Sequence, residues 1–125
     1  MFRNLLIVAL GGGAGSMLRY LLSLLLPNSV QTGFPLGTLV ANMAGCAILG
    51  FVYGLLSQVA GMNQDMRLLL GTGLCGGLTT FSTFMYETSQ MTSLHHQFMA
   101  LGYVFVSITA GLLAIALGGW VARML

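Results

Sequence analysis

The sequence predicts an all-α integral membrane protein: one membrane domain over residues 1–125, with four transmembrane helices, the third broken near its centre. Three observations predict it. Hydrophobic residues fill 57% of the 125 positions and charged residues 5%. A small domain cannot hide so much apolar surface, because chains of this size bury only about 60–70% of what they expose when unfolded. The apolar residues also come in runs of about 20, the number a helix rising about 1.5 Å per residue needs to cross about 30 Å of hydrocarbon. Turn chemistry separates the runs, at Pro27-Asn28-Ser29, Gly33-Phe34-Pro35 and Gly61-Met62-Asn63-Gln64-Asp65.

The first span is expected at about 2–26. Its apolar run is too long for the core of a signal peptide, and no A-x-A-like cleavage site follows it. The second, about 36–59, is entered through Pro35, which suits a first helical turn. The third lies at about 66–93. His95 and His96, read as solvated loop residues, lead into the fourth at about 97–123. An even number of spans puts both termini on one side. Arg3, Arg67 and Arg123 would share it and Arg19 would lie nearer the other, a weak positive-inside bias.

The third span is unusual. Gly71, Gly73, Gly76 and Gly77 thin out its side chains, and Thr79 and Thr80 follow. Glycine costs about 1 kcal/mol relative to alanine in a helix, so Gly-Gly followed by β-branched residues predicts a break at 76–79 between half-helices at about 66–75 and 80–93. Non-helical backbone at membrane depth is tolerated only where protein or a wet cavity surrounds it.

Composition also excludes functions. A formal charge of +2, carried by Arg3, Arg19, Asp65, Arg67, Glu87 and Arg123, forms no basic patch, so nucleic acid is not a partner. Cys46 and Cys75 both fall in apolar segments and read as small packing residues rather than a disulfide framework or a metal site. Glycines recur in every span. In lipid, close backbone approach through small residues holds helices together, and such thin-walled helices predict an oligomer.

Polar residues inside a bilayer are functional hypotheses by default. Thr38, Asn42 and Cys46 recur every four residues, as do Tyr103, Ser107 and Gly111; Phe81, Phe84 and Thr88 share a face flanked by Thr80 and Glu87. Every donor on these stripes is neutral. Such donors suit a small anion that must exchange its waters for other partners, and phenylalanine rings turned edge-on present their positive rim to it. Taken singly, each residue reads more simply as helix packing or as a hydroxyl bonded back to its own helix; taken together, they point to an anion path. Glu87 also opens a proton-coupled exporter reading, or it sits near a vestibule and accepts a hydrogen bond from Thr83 or Thr80. Arg19 either reaches to the interface or recruits anions at a pore mouth. A non-transporting assembly subunit is the third reading.

The stretch GLCGGLTTFSTF at 73–84 closely resembles the signature of the Fluc (CrcB) fluoride channels. GGGAGSMLRY at 11–20 and PLGTLVANMAG at 35–45 resemble that family's other marked stretches, in the same order. The resemblance covers essentially the whole chain. It implies an antiparallel, dual-topology homodimer of four-helix subunits in the cell (inner) membrane, with two pores through which fluoride leaves the cytoplasm passively. It further implies a sodium ion at the dimer centre, held by the backbone carbonyls of Gly76 and Thr79. Phe81, Phe84 and Asn42 would line the pore, with Thr80, Ser82, Thr83, Tyr103 and Ser107 on its hydrogen-bonding track. Glu87 would stand near that track, and Arg19 matches the family's arginine in the first helix. Some relatives carry further hydroxyls one and two turns after Ser107, where this chain has Gly111 and Ile115.

Overall fold

The chain runs through α1 (Phe2–Leu25) and α2 (Leu36–Leu56) into a continuous helical stretch over 64–78. That stretch consists of α3 (Gln64–Met66), a π-helix (Arg67–Cys75) and α4 (Gly76–Leu78); α5 (Ser82–Ser93) and α6 (Gln97–Arg123) follow. This computed structural model describes residues 1–27, 29–31, 33–58 and 64–125; Asn28, the expected end of the second span at Val59, and Gly61-Met62-Asn63 of the expected polar loop lie outside the described residues. Four segments, Phe2–Leu25, Leu36–Leu56, Gln64–Ser93 and Gln97–Arg123, are long and apolar enough to cross a membrane. The protein is a multi-pass membrane protein.

Large apolar side chains point outward. Leu10, Leu24, Phe98, Phe105 and Leu112 are all exposed, while the buried residues of α1 are Gly11 and Gly15. Lipid removes the reason to hide leucine, and the smallest residues therefore go where helices touch.

Two seams result. Along the first, α1 lies against the π-helix and α4. A Cβ on Gly11 would strike the Leu69 carbonyl oxygen and come within 3.0 Å of Gly73 Cα; one on Gly15 would strike the Leu74 oxygen and lie 2.7 Å from Leu78 N; one on Gly77 would strike the Gly12 oxygen. Along the second, α2 lies against α6. There Gly50 meets the Ile115 carbonyl, and Gly118 meets the Ala47 carbonyl with Phe51 N at 2.8 Å. Both seams are backbone against backbone.

The ends of the bundle are closed differently. At one end Arg3 pairs with Asp65, the Arg67 guanidinium lies 5.7 Å from the centre of the Tyr53 ring, and Gln58 Nε2 donates to the Ala122 carbonyl at 2.6 Å. At the other, the α1–α2 connection folds inward. Gly33 N–H donates to Ser29 O (3.0 Å) and Leu36 N–H to Pro27 O (3.0 Å). Val30 joins Leu39, Phe84, Met91, Ala100 and Tyr103 in a buried cluster, with Phe34, Met43 and Val104 packed on it.

Two expectations need correction. The first half of the third span is a π-helix over most of its length, with i→i+5 bonding, and no residue pattern announces that widening. The interruption is also displaced: Gly76–Leu78 is helical, Thr79 is extended (φ −81°, ψ 155°), and helix resumes at Ser82 rather than residue 80. The reason is that Gly73 and Gly77 serve the seam with α1. The backbone leaves the helix at Thr79, three residues after the expected start of the break, where β-branched Thr79 and Thr80 suit an extended conformation.

Candidate functional site

A helix that stops inside a membrane leaves backbone groups that water cannot reach, and each needs a partner. Side chains supply many of them here. Asn42, from the middle of α2, spans the interruption with both ends of its amide: Nδ2 donates to the Thr80 carbonyl at 3.2 Å, and Oδ1 accepts the Thr80 N–H at 2.7 Å. Thr79 returns both its N–H (2.9 Å) and its Oγ1 (2.8 Å) to the Cys75 carbonyl. Arg19 Nε donates to the Gly77 carbonyl at 3.1 Å. Thr80 Oγ1 accepts the Thr83 N–H at 3.2 Å, which serves the start of α5, and lies 3.1 Å from Thr83 Oγ1 and 3.4 Å from Ser82 Oγ. Among the described residues, no hydrogen bond reaches the carbonyls of Gly76, Leu78 or Thr79.

Two cavities flank this knot, and Thr80 lines both. The first, about 310 Å³, is polar: Ser16, Arg19, Tyr20, Ser23, Thr38 and Thr83 contribute to its wall. The second, about 530 Å³, is a more open groove whose lining includes Asn42, Gly76, Thr79, Phe81, Phe84 and Ser107. The two phenylalanine rings lie 6.2 Å apart at 52°. Phe81 is 73% exposed whereas Phe84 is buried, so they form a step from the open groove into the protein rather than one uniform wall. Ser107 Oγ, on α6, is buried and has no hydrogen-bond partner among the described residues.

The structure moves some expected residues to other work. Glu87 is buried, at 4% exposure, and its carboxylate accepts from Thr38 Oγ1 (2.7 Å) and Tyr103 OH (2.6 Å), not from Thr83 or Thr80. It lines neither cavity. Tyr103 is fully buried. Phe34 and Phe84 hold its ring edge-on, at 5.1 and 5.0 Å, and its hydroxyl is committed to Glu87, so it offers no donor to the groove. The physical reason is burial: a carboxylate out of reach of water must collect hydroxyls, and the nearest come from α2 and α6. Asn42 is likewise engaged, with one N–H left over from its amide. Thr88 bonds back to the Phe84 carbonyl at 2.8 Å, an ordinary helical hydroxyl. Cys46 and Cys75 are free thiols, and His95 and His96 are exposed.

Ser16, Tyr20 and Ser23 were not singled out from the sequence. Their spacing with Arg19, one helical turn at a time, is a polar stripe on an otherwise apolar α1, so a signal was present. The Asn42–Thr80 pairing had none, because no spacing links α2 to an interruption 38 residues further on.

Fold and site together define a class: a small polytopic membrane protein in which a side-chain-clamped helix interruption separates a polar cavity from an aromatic groove. The model for CrcB-like proteins, described under camphor resistance, matches residues 6–119. The chain belongs to the CrcB family. It is 43% identical over 123 residues to a fluoride-specific ion channel FluC of Phocaeicola vulgatus, covering 97% of this chain and 99% of that one. Proteins of the same description from Leptospira interrogans (39% over 121 residues, 97% and 95% covered) and Pyrococcus furiosus (41% over 121 residues, 97% of each) are similar along their whole length.

Proposed function

We propose that this protein is a fluoride-selective channel that lets fluoride leave the cytoplasm passively, assembled as an antiparallel, dual-topology homodimer in the cell membrane. The observation that carries the reading is Ser107: its hydroxyl is buried without a partner among the described residues, and the residue lines the groove together with Asn42, Phe81 and Phe84. A buried donor left unpaired costs about 1–3 kcal/mol, which a small anion would relieve. The family relatives named above, described as fluoride-specific channels, support the same anion.

The chemistry follows from the lining. Fluoride gives up hydration on entering a narrow path, so donors must replace the lost waters. Thr80 lines both cavities and Thr83 the vestibule, with Ser82 Oγ beside Thr80 Oγ1, and these offer hydroxyls; the remaining Asn42 N–H, the rims of Phe81 and Phe84, and Ser107 offer contacts beyond. None is a fixed cation, so the anion is not held too tightly to leave. Arg19 sits in the vestibule wall, where its charge raises the local anion concentration. Glu87 stays out of the path, its charge answered by Thr38 and Tyr103.

The carbonyls of Gly76 and Thr79 fit the sodium site that the family resemblance implies. No hydrogen bond reaches either among the described residues, both residues line the groove, and the Gly76 Cα faces open space. Carbonyl oxygen suits a hard cation. A two-fold axis at the groove would double two such carbonyls into four. A bound sodium would supply a positive potential near the path without standing in it.

The test is fluoride efflux from liposomes containing only this protein, with the membrane potential clamped and chloride-loaded vesicles alongside. Rapid fluoride loss with chloride retained is expected. Ser107→Ala and Phe84→Ile are each expected to cut the flux at least tenfold while the dimer persists. Absence of fluoride loss from folded wild-type dimers would defeat the channel reading.

A further inference from the structure

We infer that Arg19 decides which carbonyl oxygens of the interruption are left for a cation, and that its charge restricts that place to a monovalent ion. The inference rests on the reading above that the Gly76 and Thr79 carbonyls serve a cation.

The helical stretch over 64–78 ends within the span, so beyond Cys75, whose oxygen still accepts the Thr79 N–H, the carbonyls of residues 76–78 lack their usual i+4 partners, and this end gathers the partial negative charge of a helix C-terminus. They are treated unequally. Cys75 O is satisfied by Thr79 and Gly77 O by Arg19, while no hydrogen bond reaches Gly76, Leu78 or Thr79 O among the described residues.

The sorting follows helix faces. A Cβ on Gly77 would strike the Gly12 oxygen of α1, whereas one on Gly76 would meet nothing within 4 Å. Arg19 therefore consumes the carbonyl on the α1 side and leaves those on the groove side. Its reach is set by the first seam: Gly15, one turn before Arg19, lies against Leu74 and Leu78 with no room for a side chain.

The charge matters as much as the hydrogen bond. The cavity that Arg19 lines contains hydroxyls and no carboxylate among its lining residues. The guanidinium is always protonated. Among the described residues it forms no ion pair, so its positive charge, held against the Gly77 carbonyl, repels a cation on the neighbouring carbonyls, and that repulsion doubles for a divalent ion.

The test is the melting temperature of the purified protein in detergent, measured in sodium, potassium or calcium chloride at matched ionic strength. Wild type is expected to shift upward in sodium or potassium chloride, whichever monovalent ion fits, and not in calcium chloride. Arg19→Gln, which removes the charge, is expected to shift upward in calcium as well. Arg19→Lys, which keeps the charge but loses the planar fork, is expected to keep the wild-type exclusion of calcium from a lower starting temperature. Arg19→Met stands in if Arg19→Gln does not fold. A neutral variant with the wild-type cation pattern, or a calcium response in Arg19→Lys, would overturn this inference alone. A wild type indifferent to every cation would overturn it together with the cation reading beneath it.

Discussion

The seam between α1 and the third span and the cluster around Tyr103 are held together by opposite means. In the seam, Gly11, Gly15, Gly73 and Gly77 bring backbone onto backbone, and a Cβ on any of them would collide with main-chain atoms. In the cluster, Phe34, Phe84, Met91 and Tyr103 interlock by side chain, around a carboxylate held by two hydroxyls. Both lie in the same apolar chain. The seam has nothing that can move aside, so its tolerance is set by volume; the cluster can repack, so its tolerance is set by hydrogen bonding. The two surround the interruption from different sides, and Thr80 joins α2 to it through Asn42.

The sharpest way to break the comparison is Gly15→Val. Overpacking typically costs about 1–3 kcal/mol and occasionally more, and here the obstacles are the Leu74 oxygen and Leu78 N. A loss of about 3 kcal/mol or more is expected, read as collapse of the folded peak in size-exclusion chromatography. Gly102→Ala, where a Cβ meets nothing within 4 Å, should leave the peak unchanged. Equal damage from both would mean that glycine content, not the seam, is what matters.

A smaller effect is expected in the cluster. Tyr103→Phe keeps the ring packing but leaves Glu87 with one donor fewer, which costs about 1–3 kcal/mol. Denaturant unfolding would measure it. Combined with Glu87→Gln, the effect should fall well short of the sum of the single changes, because both act on one hydrogen bond. Strict additivity would show that the Tyr103–Glu87 bond contributes nothing.

The smallest effect is at the edge of the cluster. His95 closes α5 with φ 59°, and the His96 N–H reaches back to the Met91 carbonyl at 2.9 Å, the left-handed termination that favours glycine. His95→Gly should stabilise the protein by about 1 kcal/mol, seen as a modest rise in melting temperature. A fall would show that the imidazole makes a contact outweighing the backbone strain.

Composition and the period of the apolar runs determined, by themselves, that this is an all-α protein of four membrane-crossing segments, because the bilayer sets a length that about 20 residues must meet. The cluster of glycines and hydroxyls at 76–84 marked the third span as irregular, since those residues are poor helix formers in any context. The polar stripes brought Thr38, Asn42 and Ser107 to notice because helical spacing is a local property. What each stripe does was decided only by the tertiary structure. Asn42 clamps Thr80, Tyr103 and Thr38 serve Glu87, Arg19 caps Gly77, and Ser107 keeps the one buried side-chain hydroxyl without a partner among the described residues. The same holds for the interruption, which sits at Thr79 rather than at the glycines because α1 presses against Gly73 and Gly77. A buried polar group takes whichever partner the packing of distant helices brings within 3 Å, and no spacing along one chain encodes that neighbour.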